Sequence, residues 1–151
     1  MKKFLVPIFY WTATTLFLLL AIYWHNYNDA VFDINIHDTY YVIHNAHASI
    51  LLAVIYACLG LIYWITIISK IKINSYFTQI HSIITLSIIP IYFIGYYILE
   101  NREQSQFPLF DDTLSLNNFL FIIWLVFTLS QLILIVNIFI SLVKFFIKKK
   151  Y

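Results

Sequence analysis

The chain has 151 residues, the length of one domain, and is 62% hydrophobic, 20% aromatic and only 11% charged. Soluble domains average roughly 45–50% apolar and about 25% charged residues, so a water-soluble globule of this size is excluded. The same figures exclude a disordered chain, and the single cysteine, Cys58, excludes a disulfide scaffold. The composition predicts an integral membrane protein.

A bilayer core of about 30 Å is crossed by roughly 20 apolar residues in a helix. Taken in chain order, four runs meet that length: Phe4–Trp24, Ala48–Ser69, Tyr76–Leu99 and Phe119–Val143. None contains Asp, Glu, Lys or Arg, each of which would cost about 2.5–3.5 kcal/mol at the centre of a span. Transmembrane β-strands would alternate polar and apolar residues, and these runs do not. Met1-Lys2-Lys3 ahead of the first run looks like a secretory signal. The run is too long for one, and Tyr23-Trp24-His25 offers no small-residue cleavage site, so an uncleaved span is expected. The fold expected over residues 1–151 is one all-α transmembrane domain, a four-helix bundle without a soluble domain, repeat or linker.

The net charge of +2 informs only once it is mapped. Lys2, Lys3, Lys70, Lys72, Lys144, Lys148, Lys149 and Lys150 flank the spans on one side. Asp29, Asp33, Asp38, Glu100, Glu103, Asp111 and Asp112 lie in the other two loops, joined by Arg102. By the positive-inside rule both termini are cytoplasmic, and the loops His25–His47 and Glu100–Asn118 face out. Tyr23, Trp24, Tyr96 and Tyr97 suit the outer interface, and Tyr63, Trp64 and Tyr76 the inner one. Ala46, Ala53, Ala57 and Gly60 form a stripe on span 2 where another helix can approach closely. Pro90 removes an amide donor from span 3 and is expected to kink it.

Site chemistry concentrates between Phe32 and His47, where His37, His44 and His47 lie beside Asp33 and Asp38. Imidazole and carboxylate are metal ligands, and imidazole is an axial ligand of haem. Solvated histidines at a wet interface are the plainer reading. His44 and His47, three apart, share a face if the helix already starts there.

The segment Asp33…His37-Asp38-Thr39-Tyr40-Tyr41-Val42 resembles subunit I of the haem–copper oxidases, the family of cytochrome c oxidase, at the start of its tenth helix. Gly60-Leu-Ile-Tyr63-Trp64 resembles a later part of that helix, and Pro90-Ile-Tyr-Phe93-Ile-Gly95 resembles the eleventh. The whole chain is similar to the last four of the family's twelve helices, standing alone. The resemblance implies that His47 stands at the low-spin haem ligand and Arg102 at a propionate-binding arginine. Asn45 replaces the high-spin haem ligand, Asn101 replaces another arginine, and Tyr92 stands where the family has a histidine. His37 and Asp38 match the pair that binds a non-redox magnesium ion, where a neighbouring subunit adds a carboxylate. The copper ligands and the second low-spin haem ligand belong to helices this chain lacks, so oxygen reduction by the chain alone is not expected. Asp33, His37, Asp38, Tyr40 and Tyr41 equally suit a loop-folding role, with Asp38 capping span 2.

His81 and Gln79 in span 3 suit either a proton path or hydrogen bonds to a neighbouring helix. Gln131 and Asn137, six apart on span 4, suit interhelical hydrogen bonds from different faces. No nucleophile–base pair, phosphate loop or nucleic-acid surface is present. The expectation is a non-enzymatic accessory or structural subunit without its own cofactor, surrounded by lipid and other membrane subunits. The alternative is a haem-binding electron-transfer subunit using His47 and a partner's ligand. Richness in Ile, Lys, Asn, Tyr and Phe points to an AT-rich bacterial genome, and so to the inner membrane.

Overall fold

The computed structural model describes residues 5–26, 31–36, 39–100 and 112–150. Four helices hold most of them: α1 (Leu5–His25), α2 (Asn45–Ile68), α3 (Ser75–Glu100) and α4 (Asp112–Lys150). All four are long and apolar enough to cross a membrane, which marks the chain as a multi-pass membrane protein. One feature departs from the all-α expectation. Strands β1 (Val31–Ile36) and β2 (Thr39–His44) pair antiparallel where a loop was expected, with Val31 opposite His44 and Ile36 opposite Thr39. Phe32, Ile34 and Ile36 alternate with Asp33 and Asn35, and Tyr40-Tyr41-Val42-Ile43 are aromatic and β-branched. Both patterns favour extended backbone.

The chain divides into two compact units, residues 1–72 and 73–151. In the first, α1 packs antiparallel on α2 through Val6, Tyr10, Ala13, Phe17 and Ala21 against Ala46, Ser49, Ala53, Tyr56, Gly60 and Tyr63. These positions recur three and four apart, the spacing that keeps one seam facing a partner helix. Large rings fill the space that small residues open. Tyr10 stacks on Tyr63 with centroids 5.5 Å apart and lies 5.9 Å from Tyr56, while Phe17 lies 5.3 Å from Tyr56. Gly60 belongs to this stripe as expected, since a Cβ there would stand 2.5 Å from the Trp11 Nε1. Ala57 is only half-buried and flanks the seam.

A tight turn ends α2. Lys70 adopts φ 56°, its N–H donates to Ile67 O, and the Ile71 N–H donates to Thr66 O. The paired bonds satisfy carbonyls that a helix end leaves open, in a motif that normally uses glycine at the left-handed position.

In the second unit, α3 and α4 also run antiparallel, but their seam is polar. Thr78, His81, Ser82 and Thr85 of α3 are buried, as are Ser130, Leu134, Asn137 and Ser141 of α4. A Cβ on Gly95 would run into the Phe119 ring, so that ring packs directly on the α3 backbone far from the polar set. Pro90 lies inside a helix that continues to Glu100.

α4 runs to 39 residues, about 58 Å at 1.5 Å per residue. It therefore exceeds the expected span, Phe119–Val143, at both ends. Apolarity marks only the part suited to lipid, whereas helical hydrogen bonding continues through polar residues. Of the expected loop Glu100–Asn118, α3 takes Glu100 and α4 takes Asp112–Asn118, while residues 101–111 lie outside the described residues.

Candidate functional site

The hairpin delivers the chain directly into α2, and this changes which residue starts that helix. Asp38 was expected to cap it. Asp38 instead precedes β2, and His44 is the N-cap, with extended backbone and its ring Nδ1 accepting the Ala46 N–H at 3.2 Å. A helix start leaves its first amides unpaired, so an acceptor at this position stabilises it, typically by about 1 kcal/mol. The bond also bears on the ring's tautomer. With Nδ1 accepting, a neutral His44 ring carries its proton on Nε2.

His47 follows in the first turn of α2 and is exposed. Its ring centroid lies 5.7 Å from that of His44, with planes 61° apart. The two were expected to share a helix face if the helix already started there; α2 starts at Asn45, with His44 extended at its N-cap. His25, the last residue of α1, comes to the same end of the pair because α1 and α2 are antiparallel. The three histidines line one cleft of about 760 Å³ with Leu18, Ala21, Ile22, Ala46 and Ile50. Sequence reasoning missed His25 because it stands far from the other two along the chain. The available signal was geometric: two adjoining antiparallel spans place the end of one beside the start of the next.

The remaining expected site residues are less fully placed. His37, Asp38 and Arg102 lie outside the described residues. Asp33 pairs with Val42 and Tyr40 with Asn35 in the hairpin backbone, while their side chains are outside the description. Tyr41 opposes Ile34 and is exposed. Among the described residues, no group of three His, Cys, Asp or Glu side chains is arranged to hold a metal ion.

The second concentration of chemistry is the α3–α4 seam. Asn137 clamps the start of α3: its Oδ1 accepts the Asn74 N–H at 3.0 Å. Its Nδ2 donates to Asn74 O at 3.2 Å and to Thr78 Oγ1 at 3.1 Å. The Asn74 side chain in turn accepts the Tyr76 N–H at 2.9 Å. One turn further along α3, His81 Nε2 meets Gln131 Oε1 at 3.3 Å. Gln131 Nε2 donates to Ser130 Oγ at 3.0 Å and to Phe127 O at 3.1 Å. Ser130 Oγ donates to Phe127 O at 2.7 Å and lies 3.2 Å from Thr85 Oγ1, with which it shares a hydrogen bond. Gln79 is half-buried and stands outside this network. Gln131 and Asn137 were read as facing different ways, yet both reach α3. Asn137 lies in the seam, and Gln131 bends in from its edge.

Comparison of the chain with protein-family models, with curated proteins and with solved structures gives no match.

Proposed function

We propose that the chain is a non-catalytic subunit of a larger membrane complex, shaped like the terminal helices of a haem–copper oxidase core. It lies in a bacterial inner membrane with the hairpin outward and both termini cytoplasmic. The observation that carries the reading is the state of His44. An iron ligand must offer an unprotonated nitrogen, but the one at Nδ1 is committed to the α2 cap. His44 and His47 rise from the same helix end and do not approach one iron from opposite sides, and no step of the proposed role passes through a cofactor.

The mapped charges support the orientation, since in sequence the lysines flank the spans on one side and the acids lie in the loops on the other. The competing reading keeps one observation in its favour: exposed His47 is available to a partner's iron.

A visible-range spectrum of the isolated chain and of its native complex distinguishes the two. The proposal expects no Soret band attributable to this chain. A band lost in His47→Ala and kept in His81→Ala would overturn it. Orientation is read separately, in a Cys58→Ser background. A cysteine at Gln104 should react with an external reagent and one at Asn74 should not; the reverse pattern would overturn the topology.

A further inference from the structure

The three-histidine cleft has a chemistry that the subunit role leaves unused. Its rim sits where α1 ends and α2 begins, the level at which an apolar span gives way to polar headgroups. Its wall runs from His25 back to Leu18 along α1, about 10 Å of aliphatic surface at 1.5 Å per residue. The rim is set to donate. The cap bond puts the proton of a neutral His44 on Nε2, and neutral His25 and His47 rings each carry one further N–H. Beyond the His44 cap bond, none of the three has a hydrogen-bond partner among the described residues.

We propose that this cleft is a glycerophospholipid site. The phosphodiester and ester oxygens of a lipid head accept hydrogen bonds from the imidazole N–H groups. The upper part of an acyl chain lies against Leu18, Ala21, Ile22 and Ile50. The cap bond withdraws the His44 Nδ1 lone pair from any metal ion. The assignment requires only the α1–α2 pair in a bilayer and stands apart from the subunit reading.

The test uses the full chain, purified in mild detergent, washed free of bulk lipid and examined by native mass spectrometry after addition of phosphatidylcholine or phosphatidylglycerol. One lipid per chain should be retained from either, because both carry the diester and ester oxygens. His25→Ala and His47→Ala remove exposed rings and should each weaken retention several-fold, the pair together about tenfold. Ile22→Trp fills the cleft and should abolish retention with helix content unchanged. Leu61→Trp, at an exposed α2 position outside the cleft, should retain lipid as the parent does. Lack of retention by the parent, or equal retention by parent and cleft variants, would overturn the site. Retention of phosphatidylglycerol alone would overturn recognition by neutral donors. A co-purifying quinone in place of phospholipid would overturn the lipid assignment.

Discussion

The α1–α2 and α3–α4 pairs are both antiparallel, both built from helices long enough to cross a bilayer, and held by different chemistry. Rings and small residues interlock in the first: Tyr10, Phe17, Tyr56 and Tyr63 fill the gaps left by Ala13, Ala21, Ala46, Ala53 and Gly60. The second places hydroxyls, amides and an imidazole in its seam, with Leu134 the buried apolar member among the described residues. Lipid tails are as apolar as leucine, so burial from water does not hold two spans together. Dispersion between well-fitted surfaces and interhelical hydrogen bonds remain, and each pair relies chiefly on one of them.

Truncating a ring should do the most damage. Tyr10 is fully buried and touches two tyrosine rings, and Tyr10→Ala should cost about 3 kcal/mol through the cavity it leaves. Unfolding in detergent, followed by indole fluorescence from Trp11 and Trp64, reads that loss. Asn137→Ala should come next, at about 2 kcal/mol, because three hydrogen bonds averaging about 0.6 kcal/mol each are lost along with the clamp on α3. Trp124 reports on this unit. If the two seams are independent, the double variant should lose the sum of the two single losses. A coupling of 1 kcal/mol or more would break the comparison.

A smaller effect of opposite sign sharpens the contrast. The Ser82 hydroxyl is buried with no hydrogen-bond partner, and leaving a polar group so placed costs about 1–3 kcal/mol. Ser82→Ala should therefore raise the unfolding midpoint, whereas Ser130→Ala, which removes a hydroxyl bonded to Gln131 and Thr85, should lower it. The smallest change expected is at the α2 turn. Lys70→Gly relieves a left-handed residue and should stabilise by about 0.5–1 kcal/mol, partly offset by the freer unfolded chain. A destabilisation in the same thermal assay would show that the lysine side chain contributes more than its backbone costs.

The two seams were unequally legible in the sequence. Runs of charge-free apolar residues announced the spans, because insertion penalises charge steeply. The stripe of Ala46, Ala53 and Gly60 announced the first seam, because small residues at helical spacing have few other uses. The polar seam was half visible. Gln131 and Asn137 were noticed, but a six-residue spacing puts two positions on different faces, and only the side chains' reach brings both to α3. The hairpin went unread because its charged and histidine residues drew attention away from its period-two alternation. His25 was missed because its role depends on the antiparallel pairing of two helices, which no local pattern carries.

The functional account turns on one ring. If His44 caps α2, it is an N–H donor at the cleft and no ligand for iron. Nitrogen NMR of protein labelled at histidine observes this directly, with His44→Gln identifying the resonances. The account predicts an unprotonated Nδ1 and a protonated Nε2 at neutral pH, unchanged when haem is added. A protonated Nδ1, or loss of the Nε2 proton on addition of haem, would contradict it.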